Sequence, residues 1–195
     1  MSSKDIFIVG AARTPLGSFG GTLSSVPAVK LGSLGIQAAL SRANLPAEKV
    51  NEVFMGNVMS ANLGQAPARQ ASLGAGIPAD IPCTTVNKVC SSGMKAVMIG
   101  TQTIKTGDNR IVVAGGMESM SNVPYYVEGM RFGKKIGHGK MIDGMIKDGI
   151  WDVYNDYHMG NAGELCSREL NISREEQDEF AIASYKRAAE ATEKG

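Results

Sequence analysis

The sequence predicts an α/β domain, in which short buried strands alternate with helices packed on the sheet they form. Three observations predict it. Short apolar runs at residues 6–9, 53–55, 82–86 and 111–114 have the length and composition of buried strands. Between them the apolar spacing turns helical. Gly10, Gly56 and Gly115 stop three of the runs.

Taken in order, residues 6–9 read as a buried strand ending at Gly10, and Arg13-Thr14-Pro15 with Gly17, Gly20 and Gly21 reads as a loop. From Pro27, Val29, Leu31, Leu34, Ala38 and Leu40 can share one broad helical face, which Asn44 and Pro46 close. Residues 53–55 form the second strand. A Gly-rich loop leads to a short helix over 67–73, with Pro67 at a first position where its missing N–H costs nothing. Residues 82–86 form the third strand, and a helix over 91–105 ends at Gly107. Residues 111–114 form the fourth strand, stopped by Gly115-Gly116. The pattern is β-α-β-α-β-α-β; spacing alone does not give strand order.

After Gly116 the texture changes. Residues 117–149 are rich in Gly, Met and Lys without a sustained period, so they read as a long excursion of the kind that serves function or an oligomer contact. We therefore divide the chain into an α/β domain over 1–116 and a second region over 117–195. Helical spacing returns over 159–170. Ser173-Arg174-Glu175-Glu176 is a capping box, opening a helix that runs to Lys194 with Gly195 as its C-cap.

Composition narrows the function. With 195 residues, 43% hydrophobic and 20% charged, the chain can build a packed core. Its formal charge of +1 gives no basic face for nucleic acid. No apolar run is long enough to span a bilayer. Three cysteines, Cys83, Cys90 and Cys166, form neither a disulfide framework nor a zinc spacing, which points to a reducing compartment. No signal peptide or Arg-rich leader opens the sequence. The expected location is cytoplasmic, or the mitochondrial matrix if a leader is removed.

The segment that carries chemistry is Asn87-Lys88-Val89-Cys90-Ser91-Ser92-Gly93-Met94-Lys95, between a strand and a helix. A sulfur at a helix N-terminus faces unpaired N–H groups and the positive end of the dipole, which favours thiolate. The same N–H groups can hold an oxyanion. From the residues alone, a single cysteine after a strand is more often a core residue than a catalytic one. Cys83 and Cys166 read as buried structural thiols.

The Cys90 segment resembles the nucleophilic-cysteine motif of thiolases. Other stretches agree in order and spacing: Arg13-Thr14-Pro15-Leu16-Gly17, Gly64-Gln65-Ala66-Pro67-Ala68-Arg69-Gln70, Ala114-Gly115-Gly116-Met117-Glu118-Ser119-Met120-Ser121 and His158-Met159-Gly160. The resemblance covers nearly the whole chain and is nearest to acetoacetyl-CoA thiolases. It implies a thiolase N-terminal domain with a mixed sheet, helices on both faces, and the start of a loop domain. It implies acyl transfer through Cys90, whose backbone N–H is one oxyanion donor. It implies that His158 and Met159 contact coenzyme A, and that Gly115, Gly116, Met117 and Glu118 shape and support the pocket floor. Tyr185 aligns with a monovalent-cation (K+) ligand, against a plain reading as helix packing. No tightly bound cofactor is implied. Acetyl-CoA and acetoacetyl-CoA are the implied substrates, lipid metabolism the setting, and a homodimer or homotetramer the assembly.

Thiolases are about twice this length and consist of two similar halves. The second half carries the histidine that activates the nucleophile and a second cysteine that acts as acid and base. A fifth strand of the first half follows the long excursion. None of these segments is among the 195 residues. The sequence therefore admits three readings: part of a longer, working thiolase, a half-protein completed by another chain, or a catalytically inactive thiolase-derived structural subunit of a larger assembly. A ketoacyl synthase shares the architecture, but Asn87 to Cys90 and His158 to Gly160 fit thiolase better.

Overall fold

A computed structural model describes residues 5–194. Packing divides the chain into two units, Met1–Gly149 and Ile150–Gly195. The start, Met1 to Lys4, and the expected cap at Gly195 lie outside the described residues.

In the first unit the order is α1 (Ala28–Arg42), β1 (Glu52–Gly56), α2 (Pro67–Gly74), β2 (Cys83–Val86), α3 (Ser92–Thr106) and β3 (Val112–Gly116). The strands form one parallel sheet in the order β2-β1-β3, with Val53 opposite Cys83 on one side and Val113 on the other. Successive side chains of a strand point to opposite faces. Val53 and Met55 accordingly join Ile36, Leu40, Ala68 and Ala71 of α1 and α2. Phe54 joins Val86 and Ala96 on the α3 side. A central parallel strand covered on both faces must be apolar at every position, and β1 is buried from Val53 to Gly56.

Several expectations are corrected here. Residues 6–9 form no strand: Phe7, Ile8 and Val9 are 77%, 83% and 69% exposed, and no strand among the described residues pairs with them. Apolar composition favours a strand only where a neighbour takes its N–H and C=O groups. The segment after them is tied to α1 by Arg42, whose Nη1 donates to the Ala11 carbonyl at 2.7 Å.

The buried line of α1 is Ala28, Gly32, Ile36 and Leu40 with Ser33, and Leu34 is exposed. Small residues win because the helix lies close: a Cβ at Gly32 would sit 2.5 Å from the Met117 sulfur. Gly115 and Gly116 lie inside β3 rather than ending it. The excursion contains a strand pair, β4 (Tyr125–Val127) antiparallel to β5 (Met141–Asp143). Three-residue strands are too short to show a period.

Ser72 of α2 is fully buried, and its hydroxyl finds no partner among the described residues. An unpaired buried hydroxyl costs stability, so Ser72→Ala is expected to stabilise the intact protein by about 1 kcal/mol. The check is its thermal midpoint; a lower midpoint would mean that the hydroxyl is satisfied.

The second unit opens with a tight hairpin of β6 (Trp151–Asp152) and β7 (Tyr157–His158), followed directly by α4 (Met159–Glu169) and α5 (Arg174–Lys194). Asp152 closes the hairpin. Its carboxylate accepts from the Asn155 side chain and from the Tyr154 and Asn155 N–H groups, which hold it below the usual carboxylate range. The capping box forms in both directions: Ser173 N–H donates to Glu176 at 2.7 Å, and Glu176 N–H donates to the Ser173 hydroxyl at 3.1 Å. Cys166 is exposed on α4, which corrects its reading as buried, and Cys83 is half-buried against the core.

Candidate active site

β2 ends at Val86 and α3 begins at Ser92, so residues 87–91 turn the chain from sheet to helix. Val89 takes φ +49° in that turn. A β-branched residue with positive φ is strained and persists only where its surroundings over-determine it. Here they do. The Val89 N–H donates to Asn87 Oδ1 at 3.0 Å. The Ser92 hydroxyl accepts from the Lys88 N–H at 2.8 Å and donates to the Val89 carbonyl at 2.6 Å. The Ser92 N–H donates to the same carbonyl. The clamped turn lifts Cys90 to an exposed crest.

Cys90 stands two residues before the first residue of α3. Among the described residues its own N–H donates no hydrogen bond, and neither do those of Gly93 and Met94 in the first helical turn. These are the orphan donors of a helix start, aimed with the positive end of its dipole. The turn thus sets a thiol beside free N–H groups, the pairing that acyl transfer through an oxyanion needs.

Glycines let α3 come this close to the sheet. A Cβ at Gly56 would lie 2.6 Å from the Gly93 nitrogen and from the Ser92 carbonyl carbon. Gly116 faces Gly93 from β3, where an added Cβ would stand 3.3 Å from the Gly93 Cα. Gly115 lies beside Met55, and Met117 is buried beneath α1.

Glu118 ties the ends of β3 and β1 together. Its carboxylate accepts from Asn57 Nδ2 at 2.8 Å, the Val58 N–H at 2.9 Å and the Met59 N–H at 3.2 Å. Asn57 is 1% exposed and also donates to the Met117 carbonyl. Burial pushes the Glu118 carboxyl above its ordinary value of 4.5, opposed by the Val58 and Met59 N–H groups. Between that value and the raised one, the folded state keeps a proton that the unfolded chain has released. Stability is therefore expected to fall as pH rises through this window, and Glu118→Gln should remove that slope. Thermal melts across the acid range check this, and an unchanged slope in the variant would refute it.

In the second unit, His158 is the N-cap of α4, and its Nδ1 accepts from the Gly160 N–H at 3.0 Å. With Nδ1 engaged, Nε2 is the ring nitrogen left to meet a ligand. His158 ends β7 and caps α4. Met159 follows it, partly exposed. Tyr185 lies on α5 and is exposed, without core packing in its unit. Two open depressions, of about 290 and 260 Å³, lie at residues 40–46 and beside Glu128, Lys134, His138 and Lys140. Neither is lined by Cys90 or Gly116.

The family described as "Thiolase, N-terminal domain" matches residues 6–195. The chain belongs to the thiolase family. It is similar, at 60% identity over all 195 of its residues, to Acetyl-CoA acetyltransferase 2 of Arabidopsis thaliana, of which it covers 48%. It is 59% identical over 98% of its length to Acetyl-CoA acetyltransferase of Schizosaccharomyces pombe, covering 48% of that chain. It is 55% identical over 98% of its length to the mitochondrial Acetyl-CoA acetyltransferase of Rattus norvegicus, covering 45%. The chain spans about half the length of these relatives.

In this thiolase domain the first unit brings Cys90, Gly116 and Glu118 to one end of the sheet. His158 and Met159 adjoin each other in the second unit, and Tyr185 stands on a separate helix. Sequence reasoning gave Gly56 only as a strand stop and Ser92 only as a member of the Cys90 segment, and it missed Asn57. The Gly56-Asn57 pair after a strand signals a turn. Nothing in it signals that the Asn57 side chain is buried and bonded across the sheet.

Proposed function

We propose that the protein is an acetyl-CoA C-acetyltransferase that works through an acyl-enzyme on Cys90. The observation that carries this is the strained turn, which presents an exposed thiol beside an unpaired Cys90 N–H. The names of the relatives support the acyl group and the carrier.

The Cys90 thiolate attacks the thioester carbon of acetyl-CoA. The Cys90 sulfur–carbon bond forms, the bond to coenzyme A breaks, and coenzyme A leaves as the thiol, taking the proton that Cys90 had given to the activating base. A second acetyl-CoA then loses an α-proton to a base, and its carbanion attacks the acyl carbon. The new carbon–carbon bond releases Cys90 as thiolate and gives acetoacetyl-CoA. Thiolysis is the reverse. Covalent catalysis divides one hard step into two easier ones. The Cys90 N–H meets the oxyanion, a contact worth about 3 kcal/mol of barrier.

His158, through Nε2, and Met159 contact the thioester or its pantetheine arm. The activating histidine and the second cysteine come from the second half that thiolases carry. Tyr185 offers one neutral oxygen, and a potassium ion needs several to replace its hydration shell. The protein works as a homo-oligomer in a reducing compartment, the cytoplasm or the mitochondrial matrix. No helix among the described residues is long and apolar enough to cross a membrane.

The test is thiolysis by the intact protein. Acetoacetyl-CoA with free coenzyme A is expected to be cleaved much faster than a long-chain 3-ketoacyl-CoA. Comparable rates would contradict the short-chain assignment, and activity confined to acyl carrier protein substrates would overturn the reaction class.

A further inference from the structure

The Cys90 turn is not held only by its own residues. Its first residue, Asn87, is exposed, and its Oδ1 fixes the strained Val89 by accepting that N–H at 3.0 Å. The Asn87 amide reaches away from the turn, donating through Nδ2 to the Val58 carbonyl at 3.3 Å. Val58 lies in the loop after β1. Its N–H points the other way, to Glu118 Oε2 at 2.9 Å. One residue thus receives Asn87 on its carbonyl and gives its N–H to Glu118. The next amide, Met59, donates to the other Glu118 oxygen, and buried Asn57 donates there too while accepting from the Ser60 hydroxyl at 2.5 Å.

We propose that Glu118, with Asn57, is a positioning residue for Cys90, acting through the Val58 peptide and Asn87 on the strained turn. Three donors converge on one carboxylate, and all three belong to the loop that Asn87 grips. Residues 57–60 lie in no strand or helix. Besides Glu118 the loop is held at its ends, by the Asn57 N–H on the Val86 carbonyl, the Asn57 amide on the Met117 carbonyl and the Leu63 N–H on the Ser60 carbonyl. Among the described residues the Val58 and Met59 N–H groups donate only to Glu118. Loosening the loop frees the Asn87 amide. Val89 then keeps the Ser92 bonds on its carbonyl but loses the one on its N–H, and the chain can relax toward negative φ. That rotation swings the next residue, Cys90, off the free N–H groups. In Glu118→Gln an amide replaces one oxygen and faces backbone N–H donors, so at least one donor loses its partner.

This inference rests on the proposed role of Cys90, but its test need not. The intact protein is treated with iodoacetamide, and the alkylation rates of the Cys90 and Cys166 peptides are read by mass spectrometry. Glu118→Gln and Asn87→Ala are each expected to change the Cys90 rate about tenfold. The rate at exposed Cys166 should not move. The double variant should behave like either single one, because both act through one chain of bonds. In the acetyl-transfer assay kcat should fall while KM for acetyl-CoA holds.

A wild-type Cys90 alkylation rate in folded Glu118→Gln overturns the proposal, as do single effects that multiply in the double variant. If Glu118→Gln does not fold, Asn87→Ala decides alone, since Asn87 is exposed; a wild-type Cys90 rate there overturns the proposal. If the wild-type protein transfers no acetyl group at all, the acyl-enzyme reading fails. The alkylation rates still decide the positioning claim.

Discussion

Replacing Cys90 with alanine is expected to lower acetoacetyl-CoA thiolysis by the intact protein by on the order of 10⁴-fold or more, the scale seen when a covalent nucleophile is removed. The reason is local. The alanine variant keeps the Val89 turn, the α3 N-terminus and the backbone N–H at position 90. It loses only the atom that forms the acyl bond. Binding of acetyl-CoA should therefore survive, and the loss should fall on kcat. Steady-state kinetics with a direct binding measurement separate the two. A variant that keeps more than about a tenth of the turnover would remove Cys90 from the chemistry.

The second large effect is structural. Gly56→Ala puts a methyl 2.6 Å from the Gly93 nitrogen and the Ser92 carbonyl carbon, both backbone atoms of the α3 start. No rotamer change relieves a clash with backbone, so β1 or the helix must move. The expected cost is about 3 kcal/mol, at the upper end for overpacking. Gly93→Ala makes a sharp contrast. Its added Cβ would meet nothing closer than 3.6 Å, and its backbone is already helical. Alanine there should leave the thermal midpoint of the intact protein nearly unchanged, whereas Gly56→Ala should lower it by several degrees. Equal midpoints for the two variants would refute the close approach of helix and sheet.

Much of this was legible in the sequence because it depends on local pattern. The β1, β2 and β3 runs, Pro67 at a helix start, Gly107 at a helix end and the Ser173–Glu176 box all carry their cause in neighbouring residues. All of them form. Residues 6–9 did not form the strand they resemble, since pairing depends on a partner that no local pattern encodes. The α1 face was misjudged at Leu34 because burial there follows the tight contacts of Gly32 with Met117 and Ala71, which come from distant chain.

The site divides the same way. Cys90 between a strand and a helix could be read directly. The positive φ of Val89 could not, because valine is among the last residues expected there. Nor could the bonds of Asn57 and Glu118, about sixty residues apart. Glu118 was legible only through its segment's resemblance to thiolases.

The most direct measurement is the mass of the Cys90 peptide after the intact protein meets acetyl-CoA. We expect one acetyl group on Cys90, removed again by free coenzyme A. Acetoacetyl-CoA turnover by folded protein whose Cys90 never carries an acyl group would contradict the acyl-enzyme account.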